Sequence, residues 1–409
     1  MPTPSVPTPE PTPLRLRPFR AVRYDQNRVG ELSALLAPPH DDLDPARIRE
    51  LRGLPHHITR LLYTRDPRTA ARELRRWLQR GVLRRDEQPA LYVYQQRRGA
   101  RILQRGLIGE LQLPSHGTGR ADQVLPHEDV SPAVVGQRAA HMADLRAQLE
   151  PLLLTYQGTA STATQVMDHI TRRPPVAIAR IAEITHTLWS CSDEDTLPLI
   201  TSGLSGTPAL IADGHHRYAA CLGLGGESDS PWSSSLALLV DSTAHPLRLA
   251  AIHRVMPGLE PEKAAATAAE VARVRPLPDG PRPPDQGELV LVGAGRAWTI
   301  TDPDPRALRE ALTGRPKEWT ALPTAVSDHL LTAAWSVPDL PGAVRYLHDA
   351  RQAADVVASP GSGSALLLPA LTEDRVRQLA EAGVLLPRKS TSFGPKPAAG
   401  LALRVLGLP

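Results

Sequence analysis

Apolar and polar positions alternate along the chain in short runs, separated by turns rich in Pro and Gly. Asp66-Pro67 reads as a helix start, because Asp caps free N–H groups and proline is tolerated in the first turn. Ala70, Leu74, Trp77 and Leu78 then share one face at helical spacing, and Gly81 ends the helix. Leu91-Tyr92-Val93-Tyr94 and Leu107-Ile108-Gly109-Glu110-Leu111 read as strands around an Arg98-Gly99 turn. Ser131-Pro132 opens the longest predicted helix, with Val135, Met142, Leu145, Leu149 and Leu152 as its apolar stripe. Val176–Ile181 and Pro208–Ala212 read as buried strands, and Ser235–Val240 as a further one. Beyond the breaker at 276–287, which fits an interdomain linker as well as a surface loop, strands are predicted at Glu288–Val292 and Ala365–Leu368. A helix follows from a Thr372 cap through Val376 and Leu379 to Gly383. The fold class implied is α+β (mixed α/β), in two packed parts.

Composition narrows this picture. A chain of 409 residues is too long for one ordinary core, so two domains are expected. Residues 1–13 alternate Pro with Thr, Ser or Glu, have nothing to bury, and are expected to form a disordered tail. No run approaches a membrane span, and no signal-peptide pattern opens the chain, so the cytoplasm is the expected location and no membrane partner is expected. Two cysteines, Cys191 and Cys221, are too few for a disulfide framework and read as small buried hydrophobes. The net charge is only +4, and the Arg runs are broken by acids on predicted helix faces; a solvated surface explains them better than a nucleic-acid groove.

Four segments concentrate chemistry. In Ile211-Ala212-Asp213-Gly214-His215-His216-Arg217 an apolar strand runs through Asp-Gly into a helix start. Glycine there lets backbone approach a ligand, and the helix start offers N–H groups and a positive dipole end to an anion. Arg217 adds a planar fork suited to phosphate, and His215 and His216 can donate, accept or shuttle a proton. The competing reading is a plain helix start capped by Asp213 with structural histidines. A metal reading also stays open, although adjacent histidines do not easily converge on one ion, and no metal ligand is assigned.

In Pro126-His127-Glu128-Asp129, just before the long helix, Glu128 is a candidate general base; a helix-start acid favoured by the dipole explains it as well. In Arg388-Lys389-Ser390-Thr391-Ser392-Phe393-Gly394-Pro395-Lys396 fall two of the chain's four lysines, in a protein that otherwise chooses arginine. Lys389, Ser390 and Thr391 make a candidate anion clamp, against an ordinary basic loop. Pro38-Pro39-His40-Asp41-Asp42 and Leu54-Pro55-His56-His57 are proline-ordered loops whose titratable groups, taken singly, read as turn residues.

Taken in order, these segments resemble the DUF1015 family. Pro18-Phe19-Arg20, the Pro-Pro-X-Asp loop, Pro126-His127-Glu128, Ala212–Tyr218, the Lys-Ser-Thr-X-Phe-X-Pro-Lys run and Gly400-Leu401 carry the resemblance, with Arg254 and His348 as further matches. The family usually has Tyr and Val where this chain has His40 and Asp42, Asn-Pro-Tyr-Asn where it has Leu54-Pro55-His56-His57, and Tyr where it has Ser392. The turn itself resembles the strand–turn–helix of ParB and sulfiredoxin-like proteins, whose fold free-serine kinases share. The resemblance implies a ParB/sulfiredoxin-like core in residues 14–257 carrying the 126–128 and 213–217 motifs, and a C-terminal α/β domain in 258–409.

The resemblance further implies a phosphotransferase acting on the hydroxyl of a small, serine-like acceptor. The donor is ATP, ADP or pyrophosphate with Mg2+, and Asp213, Gly214, His215, His216 and Arg217 hold its phosphates. Glu128, His216 or Asp41 serves catalysis, and His127, Lys389, Ser390, Thr391 and Lys396 bind substrate. Two other functions stay open: a nucleotide-binding ParB-like regulator, and a sulfiredoxin-like phosphoryl transfer that needs a thiol near the turn. The implied partners are a small-molecule substrate and the phosphoryl donor.

Overall fold

A computed structural model describes residues 14–114, 123–158, 162–204, 208–225, 230–338, 340 and 342–408; the Pro-rich segment 1–13 lies outside the described residues. The fold is α+β, and the chain groups into two compact units. One holds residues up to 126, then 130–247 and 395–409; the other holds 127–129 and 248–394.

The first unit is built on a nine-stranded mixed sheet. Its strands are β1 (Leu16–Arg17), β2 (Leu91–Arg98), β3 (Arg101–Gln112), β4 (Val124–Leu125), β5 (Leu152–Tyr156), β6 (Ala177–Ile181), β7 (Ile184–Cys191), β8 (Ala209–Asp213) and β9 (Ser234–Asp241). They lie in the order β4-β8-β5-β9-β3-β2-β7-β6, with β1 paired to β3. Strand β9 is buried at every position, as expected of a central strand covered on both faces. Leu107, Leu154, Ile211 and Leu239 form the centre of the core, joined by Met167 and Ile170.

Helix α1 (Pro67–Gln79) starts at Asp66, whose carboxylate accepts the Arg68 N–H, and it buries Ala70, Ala71, Leu74 and Trp77. Helix α2 (Pro132–Leu145) packs on α3 (His215–Gly225). The stripe predicted for α2 overran. Arg146 adopts the left-handed region at φ 51, and Leu152 belongs to β5. The helix has therefore ended well before Pro151, which itself restricts only Glu150, the residue before it.

The second unit carries a six-stranded antiparallel sheet of β10 (His253–Met256), β11 (Arg273–Pro276), β12 (Leu289–Gly293), β13 (Arg296–Thr301), β14 (Arg345–Leu347) and β15 (Ser364–Leu367). Its order is β11-β13-β12-β15-β10-β14. Leu289, Leu291 and Leu366 pack on one face; Val290, Val292 and Leu367 pack on the other. The 276–287 breaker is a loop joining β11 to β12 of this one sheet. Thr372 caps the helix Glu373–Glu381 by accepting the Arg375 N–H, as its sequence predicts. Among the described residues, no helix is long and apolar enough to cross a membrane.

Candidate functional site

Strand β8 delivers the 213–217 turn. Its pairing with β5 shifts register between Ile211 and Asp213, an irregularity at the strand end. Gly214 follows at φ 100, where a Cβ would stand 3.0 Å from Leu152 Cδ2 and 3.1 Å from Arg217 Nη2. Only glycine fits this position without strain. The first bond of α3 runs from the Tyr218 N–H to the Gly214 carbonyl at 2.9 Å.

Arg217 reaches back along this turn. Its Nη2 donates to Asp213 Oδ2 at 2.7 Å and its Nη1 to the Pro151 carbonyl at 2.8 Å, while Glu150 Oε2 lies 3.8 Å from Nη1. His216 Nε2 accepts the Ser131 N–H at 3.1 Å, so the neutral ring carries its proton on Nδ1.

The end of the chain completes the cluster. The Gln104 and Gln96 amides donate to the carbonyls of Pro395 and Lys396 at 2.8 and 2.7 Å. The Lys396 ammonium then lies 2.7 Å from Asp213 Oδ1 and also donates to Asp41. Asp41 sits in the short turn His40–Asp42, and His40 stacks on Tyr63 at 5.4 Å between ring centroids. Two carboxylates and two cations thus alternate: Asp41, Lys396, Asp213, Arg217.

Burial acts to raise the Asp213 carboxyl, but Lys396 and Arg217 overcome it and hold the group at about 2. Burial, with Lys396 and His216 in support, lowers His215 to about 4 against the opposing pull of Asp213, so the ring is neutral near pH 7. Lys396 is raised; burial opposes this, and Asp213 and Asp41 outweigh it.

The other sequence candidates gather in the second unit. His127 Nε2 lies 2.7 Å from Thr391 Oγ1, and the His127 carbonyl accepts the Leu386 N–H at 2.7 Å. Glu128 forms a bridge with Leu386, and Asp129 pairs with Arg388 at 3.4 Å. Ser390 Oγ is buried and donates to the Pro387 carbonyl at 2.6 Å. Lys389 is exposed at φ 61. Its carbonyl accepts from Arg254, which is 1% exposed and holds Asp328 through Nε and Nη2 at 2.9 and 2.8 Å. His348 holds Ser392 at 2.7 Å. Loop 389–392 is therefore fixed residue by residue.

Sequence reasoning passed over Glu150, Tyr63 and Arg138. The pair Glu150-Pro151 was the one available signal, since a helix does not run through it comfortably. Cys221 is buried, its thiol is pushed up by that burial, and it bonds Gln148 and Ser235. It is not an exposed thiolate of the kind a sulfiredoxin-like transfer needs. Among the described residues, no three His, Cys, Asp or Glu side chains gather to hold a metal ion.

Among curated proteins, none matches the sequence. Solved structures do. "Free serine kinase in complex with AMP" aligns over 73% of this chain and 91% of that one, with 16% identity and a TM-score of 0.39. A conserved hypothetical protein from Pyrococcus furiosus aligns over 71% and 90%, with 14% identity and a TM-score of 0.37. SbnI with C-terminal truncation, from Staphylococcus aureus, aligns over 69% and 85%, with 11% identity and a TM-score of 0.37. Residues 16–325 match the family model described as "Protein of unknown function (DUF1015)", and the chain belongs to that family.

Proposed function

We propose that this protein is a phosphotransferase that moves a phosphoryl group from ATP, ADP or pyrophosphate to the hydroxyl of a small, serine-like amino acid. One observation carries the reading: Lys396 and Arg217 both converge on Asp213 at the N-terminus of α3, beside a glycine whose positive φ shapes the turn. Such a place concentrates what phosphoryl transfer needs, namely cations, a helix N-terminus and fixed carboxylates.

The donor phosphates lie against Gly214 and the first turn of α3, with Lys396 and Arg217 offsetting their charge. The acceptor oxygen attacks the terminal phosphorus; the new O–P bond forms as the bond to the leaving phosphate breaks. Asp41 takes the hydroxyl proton. Glu128, the other candidate base, is fixed in the second unit by its bridge with Leu386. A Mg2+ carried in chiefly on the donor's phosphate oxygens would need only one or two protein carboxylates, and Asp213 is the one at this turn not used as the base. When bound, the ion neutralises charge on the transferring phosphate.

The test is a transfer screen of the full chain: ATP, ADP and pyrophosphate against serine, threonine and other small hydroxy compounds, read by mass spectrometry. A phosphorylated acceptor that disappears in Lys396→Met supports the proposal. No phosphorylated product with any donor overturns it.

A further inference from the structure

The first unit contains a cavity of about 40 Å3 that Arg217 helps to line. Arg138 and His141 of α2, Gln148, Glu150, Arg217 and Cys221 line it. Most of this lining is already engaged. The Gln148 amide donates to Cys221 Sγ and Ser235 Oγ at 3.0 and 3.3 Å, and its oxygen accepts the Leu236 N–H at 2.7 Å. Arg217 is held by Asp213 and Pro151. Burial, with Arg138 second, pushes His141 below its ordinary value, so it brings no charge near pH 7.

Arg138 is different. It is half-buried at the cavity, and among the described residues no hydrogen bond or ion pair joins it to an acceptor. A guanidinium held beside a cavity without a partner calls for an anion. Size decides which. At about 10–15 Å3 per water-sized group, the cavity takes roughly three heavy atoms. A carboxylate has that number; a phosphate, with five, exceeds it.

We propose that this cavity is a carboxylate subsite, with Arg138 as its charged ligand, for a small carboxylic acid. Its role as the acceptor's anchor rests on the phosphotransferase reading; its ability to bind carboxylate does not. Arg217 lines the cavity and also bonds Asp213, so one side chain is shared between the cavity and the turn of the proposed phosphate site. Tyr63, outside the cavity lining, lies in the field of Glu150, Arg138, Arg217 and Asp41. Burial, with Glu150 next, raises its phenol.

The test is isothermal titration of the full chain, without donor, using three probes: L-serine, glycolate and ethanolamine. Glycolate lacks the ammonium and ethanolamine lacks the carboxylate. Serine and glycolate should bind and ethanolamine should not. Arg138→Gln should weaken both acids by roughly ten- to a hundredfold while leaving Tm unchanged, and Arg138→Lys should recover part of the loss. Equal binding of serine and ethanolamine, unchanged serine affinity in Arg138→Gln, or no binding of either acid would overturn the subsite. Carboxylate binding with no phosphoryl transfer would overturn the functional reading alone; transfer that ignores Arg138 would overturn its role as the acceptor's anchor alone.

Discussion

The Lys396 ammonium, from the last turns of the chain, stands 2.7 Å from the Asp213 carboxylate at the end of β8. Lys396 also holds Asp41 from near the N-terminus. One cation therefore fastens three distant segments of the first unit, and its removal leaves two carboxylates facing one another.

Lys396→Met should destabilise the first unit by about 2 kcal/mol near pH 7, the scale set by holding Asp213 at about 2 instead of its ordinary 3.8. The pH dependence follows from the signs. Asp213 is depressed, so its contribution is complete above 3.8 and is lost as pH falls toward 2. Lys396 is raised, so its contribution is complete below 10.5 and is lost as pH rises through its higher folded value. The variant should flatten both limbs of a urea-midpoint profile taken from acid to alkali. An unchanged profile would show that the pair adds nothing.

His215 predicts a different acid limb. Its folded value of about 4 lies below the ordinary 6.5, so the neutral ring is what the fold favours. Stability from this group is complete above 6.5 and is lost as pH falls through 6.5 toward 4. His215→Gln should therefore reduce the slope of unfolding free energy against pH in that window by up to one proton, about 3 kcal/mol in total. A residual slope should persist, because His57, His186 and His253 are also lowered to about 4, each mainly by burial. Denaturant midpoints across that window read it directly.

In the second unit, Arg254 is a buried arginine with a bidentate partner, Asp328, and the Lys389 carbonyl on its remaining nitrogen. Arg254→Met should cost about 3–5 kcal/mol, because Asp328 loses its charge partner and the 389–392 loop loses its anchor. Thermal melts check the size. A loss below 1 kcal/mol would show that the loop is held by His127 and His348 alone.

How much of this was legible follows from the range of each contact. The Asp66 cap, the Thr372 cap and the strand–Gly214–helix turn depend on neighbours within a few residues, and the sequence shows them. The partners of that turn do not. Nothing near Asp41 or Lys396 announces that they meet at Asp213, because β-sheet order and the return of the chain end bring them together. The α2 stripe overran although a local signal was available: Pro151 lies inside it, and Leu152 continues into β5. Arg138 carries no pattern at all, since its position matters only after α2 packs on α3.

Gly214→Ala tests the turn's backbone. At φ 100 an L side chain is strained, and the new methyl meets Leu152 Cδ2 and the Arg217 guanidinium. The expected loss is about 1–3 kcal/mol. The Arg217 fork should also move off Asp213, which would show as a rise of the Asp213 carboxyl by NMR titration. A variant as stable as the parent would mean that the turn relaxes freely and is not a fixed platform.

The last prediction separates holding the turn from holding phosphate, because Arg217 is placed for both. Its fork is occupied by Asp213 and Pro151, so Arg217→Lys keeps the charge and gives up paired bonds that a single ammonium cannot span. Tm should fall, in contrast to an arginine that faces only ligand. If the same group also contacts donor phosphates, isothermal titration with ATP or pyrophosphate should weaken by roughly ten- to a hundredfold. Titrating well below the variant's Tm keeps the protein folded, so lost affinity then reports the phosphate contact rather than unfolding. Lowered Tm with parental donor affinity would assign Arg217 to the architecture of the turn and leave Lys396 as the cation to test next.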